Sequence, residues 1–158
     1  MSQLTRQLKR QLDKKSSVEK LLTLNQHKIR LGLSKINKVI KKLKIIQKPD
    51  IKYLTINGTS AKNSIIQIFK SILIQHRQSY AATYSPHLVS ITERFEHNQK
   101  FIKLNKLKKI LTRVVKYKNL THFEKLVVTF GIFIKDLKLD WAIGEYGLFG
   151  RLDGIRAL

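Results

Sequence analysis

Residues 51–64 read Ile51-Lys-Tyr-Leu-Thr-Ile-Asn-Gly-Thr-Ser-Ala-Lys-Asn-Ser64, and the order of side-chain types along them decides the fold. Tyr53, Leu54 and Ile56 are β-formers in an apolar run short enough for a buried parallel strand, and the run breaks at Gly58. Beyond Lys62, the residues Ile65, Ile68, Phe69, Ile72 and Leu73 recur at helical spacing. The stretch therefore reads as strand, loop, helix, with Gly58, Thr59, Ser60, Ala61, Lys62, Asn63 and Ser64 as the connection. A loop of small and hydroxyl residues with one Lys at a helix N-terminus offers unpaired backbone N–H groups and the positive end of the helix dipole. Those are the physical requirements for gripping a polyphosphate. The general phosphate-loop pattern has Gly just before the Lys and Ser or Thr just after it; here Ala61 and Asn63 hold those places. On its own residues the loop suits either a nucleotide site or an ordinary strand-to-helix turn.

Working outward, Tyr80-Ala-Ala-Thr-Tyr84 reads as a second short strand ended by Ser85-Pro86, with a long polar loop after it as far as Gln99. Two amphipathic helices are expected over Leu104–Val115 and Thr121–Leu137. Trp141-Ala-Ile143 is a third strand that delivers Glu145 to its C-terminal end, close to Gly144, Gly147 and Gly150. Upstream, Ser16 to Glu19 has capping-box spacing and opens a helix through Leu21, Leu22 and Leu24 that Gly32 interrupts. A second helix puts Leu33, Ile36, Val39, Ile40, Leu43 and Ile46 on one stripe opposite its lysines and stops before Pro49. Both upstream helices are expected to pack on the sheet edge. Helices alternating with short apolar strands specify an α/β fold, with strands near 51–57, 79–84 and 140–145 in one parallel sheet flanked by helices. The chain divides into basic N-terminal helices over 1–48 and an α/β unit over 49–158. In such sheets ligands bind beyond the strand C-termini, where Gly58, Ser85 and Glu145 all fall.

Composition bounds the chemistry. The chain has 158 residues, 42% of them hydrophobic, which is enough for a packed core and too apolar for a disordered tail. With no cysteine there is no disulfide framework and no thiolate metal site, and His27, His76, His87, His97 and His122 are too scattered to form a ligand pair. Any metal must use oxygen ligands. No apolar run approaches the ~20 residues of a membrane span, and Met1–Lys15 lacks the apolar core of a secretory signal. Leu4, Leu8 and Leu12 share one face of that basic opening, but Asp13 argues against a transit peptide. A cytoplasmic monomer without membrane attachment is expected. The net charge of +22 invites a nucleic-acid reading. No helix-turn-helix, zinc or RNA-platform pattern accompanies it, however, and the lysines are interleaved with Ile as an A+T-rich gene would also produce. The charge is read as solvated faces, with no nucleic-acid partner expected.

Five ordered blocks carry a resemblance: Gly58-Thr-Ser-Ala-Lys-Asn-Ser64, Tyr84-Ser-Pro-His-Leu88, Glu93-Arg94, Thr121-His-Phe-Glu124 and Glu145-Tyr-Gly-Leu-Phe-Gly-Arg-Leu-Asp153. In order and spacing they resemble the N-terminal part of folylpolyglutamate synthase, of the Mur ligase superfamily. That family reads Gly-Thr-Asn-Gly-Lys-Gly-Ser, Ser-Pro-His-Leu, Asn-Glu-Arg, Thr-x-Phe-Glu and Glu-x-Gly-x-Gly-Gly-Arg-Leu-Asp. The resemblance covers about residues 20–155. It implies an ATP-dependent ligase that phosphorylates the terminal carboxylate of a folate and lets the amine of glutamate attack the acyl phosphate. Carried over, Lys62 would neutralise the β- and γ-phosphates while the amides of Gly58 to Ser64 cradle them. Ser85 and Glu145 would hold Mg²⁺, and Ser85, Pro86, His87 and Leu88 would meet the substrate, with the loop through Gln99 covering its pterin side.

The departures are as specific as the matches. Ala61 and Asn63 stand where the family has glycines, Ser60 where it has Asn, Thr92 where it has Asn, and Phe149 where it has Gly. If position 61 needs positive φ, its Cβ costs ~1–2 kcal/mol, and ATP binding should weaken. The family also continues beyond its counterpart of Asp153 through the rest of the ATPase sheet into a separate C-terminal domain. The expectation from sequence is a truncated, inactive remnant of such a ligase; the alternative is a basic nucleotide- or nucleic-acid-binding module without catalysis.

Overall fold

The computed structural model describes residues 33–45 and 48–145. The expected helix from Ser16, the break at Gly32, the stripe residue Ile46 and the block from Gly147 through Phe149 to Asp153 lie outside the described residues.

Three parallel strands make up one side of the sheet: β1 (Lys52–Ile56), β2 (Tyr80–Thr83) and β5 (Trp141–Glu145), with β5 lying between the other two. All three were expected, within one residue at each end. The sheet is nevertheless mixed. β3 (Phe95–His97) pairs antiparallel with β2, and β4 (Lys100–Phe101) pairs antiparallel with β3, giving the order β1-β5-β2-β3-β4. Sequence reasoning read this region as a polar loop, which the structure corrects. Asn98 and Gln99 both take positive φ (45° and 65°) and make the two-residue turn of a hairpin, but Gln in the second place hides the usual Asn-Gly signal. Asn98 also accepts from the Tyr80 N–H through its side chain (2.8 Å) and donates its own N–H to the Tyr80 carbonyl (3.1 Å). The turn is thereby clipped to the start of β2.

Side chains alternate across the strands, so the sheet has two apolar faces. Ala81 and Ala142 face a cluster with α1 (Ser34–Lys42), α3 (Leu104–Val114) and α4 (His122–Lys135). Tyr80, Ala82 and Ile143 face α2 (Lys62–Gln75) on the other side. α3 buries Leu107, Ile110, Leu111 and Val114 at the spacing of one helical stripe. α4 begins with a capping box in which Thr121 and Glu124 satisfy each other's backbone N–H groups. α1 buries Ile36, Val39 and Ile40 as expected, but packs on α4 rather than on the sheet edge.

The apolar face of α2 is rotated from its sequence reading. Ile66 and Leu73 are buried and Phe69 is partly buried, while Ile65 and Ile72 are exposed and Ile68 is 63% exposed. Counting apolar positions could not separate two overlapping stripes on so Ile-rich a helix. The third buried position on the sheet side is Lys70, whose Nζ meets the buried Glu96 carboxylate at 2.7 Å.

Two outcomes follow from this packing. Ile68→Lys should change stability by no more than about 0.5 kcal/mol, whereas Ile66→Ala should cost about 2–5 kcal/mol; denaturant unfolding of both variants measures the contrast, and equal effects would contradict the helix orientation. Burial alone would push the Glu96 carboxyl up, but hydrogen bonds from Lys70, Tyr84 and Tyr80 hold it below the usual glutamate range. Its contribution to stability is therefore complete above the unfolded value of about 4.3 and is lost as pH falls through the lower folded value. Glu96→Gln should flatten that part of the acid limb, measured by unfolding between neutral pH and pH ~3; an unaltered limb would refute the assignment.

Candidate functional site

The connection from β1 to α2 is exposed from Gly58 to Ala61. Gly58 sits at φ +156°, a conformation that L side chains rarely adopt, although a Cβ there would meet only ordinary contacts. Ala61 is the N-cap of α2 at φ +60°, ψ +3°. The left-handed conformation that a family glycine would take freely is thus imposed on an alanine, at a cost of ~1–2 kcal/mol. No side chain caps the helix, so its first-turn N–H groups have no side-chain acceptor. Thr59, Ser60, Asn63 and Ser64 are all exposed around this opening.

Lys62 folds back over the loop. Its Nζ donates to the Gly58 carbonyl at 2.7 Å and lies 3.5 Å from Oε1 of Glu145. Glu145 is the last residue of β5 and is buried; its Oε2 accepts from the Ser85 N–H at 2.9 Å. The ladder explains the meeting: Ile56 pairs with Glu145 and Thr83 with Gly144, so the C-terminal ends of three parallel strands stand abreast. Lys62, Ser85 and Glu145, far apart in sequence, come together at the strand C-termini, the end of the sheet where the sequence puts Gly58, Ser85 and Glu145.

The segment after Ser85 is held from below. The Ser85-Pro86 peptide is cis. The Glu93 carboxylate accepts from the N–H groups of Leu88 (2.9 Å), Val89 (3.2 Å) and Ser90 (2.6 Å). The Leu88 amide, then those of Val89 and Ser90, hold its carboxyl below the usual range. This ties down a turn whose Leu88 and Val89 side chains remain in solvent, Leu88 at 92% exposure. His87 is turned the other way, its Nδ1 accepting from Nε of Arg94 at 2.9 Å.

Arg94 is the residue that sequence reasoning left without a role. It is half-buried, and burial lowers its guanidinium's affinity for a proton while the nearby Glu145 charge opposes that effect. A small cavity at this point is lined by Thr83, Tyr84, Ser85, Arg94, Phe123, Leu126, Val127 and Glu145. Phe123 and Arg94 fall in the blocks Thr121–Glu124 and Glu93-Arg94, but nothing in local periodicity distinguishes a cavity-facing Arg in a polar run from a surface one.

Among the described residues no three His, Cys, Asp or Glu side chains cluster as a metal site. The oxygen donor at this point is the Glu145 carboxylate, whose Oε2 already takes the Ser85 N–H. That fits a hard cation such as Mg²⁺, which retains waters and takes its remaining ligands from phosphate. No helix among the described residues is long and apolar enough to cross a membrane.

No family model matches the chain. Dihydrofolate synthetase of Saccharomyces cerevisiae is 33% identical over 135 residues, covering 82% of this chain and 31% of the relative. Dihydrofolate synthase/folylpolyglutamate synthase of Haemophilus influenzae is 30% identical, covering 79% of this chain and 29% of the relative. Among solved structures, Escherichia coli FolC in complex with DHPP and ADP superposes with a TM-score of 0.80 at 28% identity, covering 90% of this chain and 35% of that one. The bifunctional enzyme of Yersinia pestis, complexed with AMPPNP and Mn, gives 0.79 at 27% identity with the same coverages. The chain spans about a third of the length of these relatives. In sequence and in its Mur-ligase-like fold, the chain is homologous over that third to the dihydrofolate synthase/folylpolyglutamate synthase enzymes.

Proposed function

We propose that residues 58–64, Ser85 and Glu145 form the nucleotide-holding side of a folate–glutamate ligase site, acting with ATP and a divalent cation. The observation that carries this reading is the convergence of Lys62, Glu145 and the Ser85 N–H at the open N-terminus of α2. Lys62 would exchange its bonds to Gly58 and Glu145 for the phosphates, and the uncapped amide N–H groups of α2 would donate to the polyphosphate oxygens. Glu145 and Ser85 would hold Mg²⁺, which supplies charge neutralisation on the transferring phosphoryl group. In the full reaction the γ-phosphoryl of ATP passes to a folate carboxylate oxygen and ADP leaves. The glutamate amine then attacks the acyl carbon, phosphate leaves, and the amine loses a proton as the amide forms. Ser85, Pro86, His87 and Leu88, beside the small cavity at Arg94 and Phe123, would meet the folate end of that substrate.

Holding carboxylate, phosphate and amine in a near-attack arrangement supplies ~7–11 kcal/mol of barrier reduction. The 158 residues by themselves present the phosphate loop and the cavity, and correspond to about a third of the relatives. We infer that on their own they bind nucleotide weakly and do not ligate.

Calorimetry should show Mg²⁺-dependent ATP binding that Lys62→Ala weakens at least tenfold, about 1.4 kcal/mol. Ala61→Gly with Asn63→Gly should strengthen it by relieving the left-handed alanine and opening the phosphate approach. Binding indifferent to Lys62 would overturn the nucleotide reading. Given reduced folate, ATP, Mg²⁺ and labelled glutamate, the 158-residue chain should release no glutamylated product above the Lys62→Ala control; Lys62-dependent turnover would overturn the inference of inactivity.

A further inference from the structure

We propose that Tyr84 is a positioning residue: its hydroxyl, anchored on the buried carboxylate of Glu96, fixes where Ser85 stands relative to Lys62 and Glu145. The inference rests on the reading of those three residues as the site. Tyr84 leaves the end of β2 immediately before Ser85, and its hydroxyl donates to Oε2 of Glu96. The same oxygen receives Lys70 Nζ at 2.7 Å, while Oε1 receives the Tyr80 hydroxyl at 2.7 Å. Lys70 also lies 5.5 Å from the centre of the Tyr84 ring, a cation–π contact in a buried setting.

These contacts form a closed circuit. Lys62 and Lys70 stand two turns apart on α2; Lys70 holds Glu96, Glu96 holds Tyr84, Tyr84 precedes Ser85, the Ser85 N–H holds Glu145, and Glu145 faces Lys62. A carboxylate on β3 thereby sets the distance between the phosphate-loop helix and the strand end that carries Ser85. Tyr80 shares the same carboxylate but sits at the opposite end of β2 and receives the Gln99 N–H at 3.1 Å. It stabilises the network without touching the site. That difference makes it the matched control, since either tyrosine changed to Phe keeps its ring and loses one buried hydroxyl.

The test compares Tyr84→Phe with Tyr80→Phe in the full chain, reading melting temperature, hydrogen exchange at the Ser85 amide and affinity for Mg²⁺–ATP. Both variants should lose a similar amount of thermal stability. Tyr84→Phe should speed Ser85 exchange about tenfold relative to Tyr80→Phe, the equivalent of ~1.4 kcal/mol of local opening, and weaken nucleotide binding several-fold. Equal exchange at Ser85 in the two variants would overturn the positioning role and leave Tyr84 a purely structural residue. Unaltered affinity despite faster exchange would also overturn it. Failure of the unmodified chain to bind Mg²⁺–ATP would sink the proposed function instead, and the Ser85 exchange contrast would then decide the positioning role by itself.

Discussion

The parallel pairing of β5 between β1 and β2 is the constraint on which everything else in this chain depends. β5 is the last described strand, yet it lies between the other two parallel strands, bonded on one side to Lys52–Ile56 and on the other to Tyr80–Thr83. Parallel strands require crossover connections, and each crossover supplies a layer: α2 between β1 and β2 covers one face, while α3 and α4 between the hairpin and β5 cover the other. The same register brings the three strand ends level. Glu145 therefore arrives beside both the β1–α2 loop and Ser85, and the site is a consequence of backbone hydrogen bonding before any side chain contributes.

Side chains then refine what the ladder sets up. In the interior beneath the site, Glu96 accepts from Lys70, Tyr80 and Tyr84, and no buried side-chain polar atom among the described residues lacks a partner. A buried ion pair contributes little net stability compared with an apolar substitute, but it is intolerant of losing one member. Its value here lies in geometry: a helix, a strand and a hairpin are held to one carboxylate. Strain enters at the opposite end of α2, where Ala61 occupies a left-handed conformation that glycine would adopt without cost. The helix and strand on either side over-determine the loop and hold the alanine in that conformation.

The site is asymmetric in how it is held. On the phosphate side Lys62 is in place but engaged with Gly58 and Glu145. On the cavity side Glu93 and Arg94 work in opposite directions along a short 3-10 turn (Ile91–Arg94), Glu93 gathering exposed amides and Arg94 reaching inward to His87 and the Glu145 field. A turn carrying exposed Leu88 and Val89 thus gains a fixed base with almost no hydrophobic burial of its own.

The sequence by itself determined the three parallel strands, the helices at 104–114 and 122–135, and the meeting of Gly58, Lys62, Ser85 and Glu145 at one end of the sheet. Those features follow from local signals: apolar runs of strand length, helical periodicity, and the rule that strand C-termini in such sheets gather the ligand site. Five blocks in family order also gave the relationship that the comparisons bear out. Only the tertiary structure decided which stripe of α2 turns inward, because Ile occurs on both of its faces and burial depends on the partner surface. Only it revealed β3 and β4, whose three and two residues carry too little periodicity to register, and only it gave Arg94, Tyr84 and Glu96 their tasks. Those three are polar side chains whose meaning lies in what they reach across the fold, and such contacts leave no trace in local spacing.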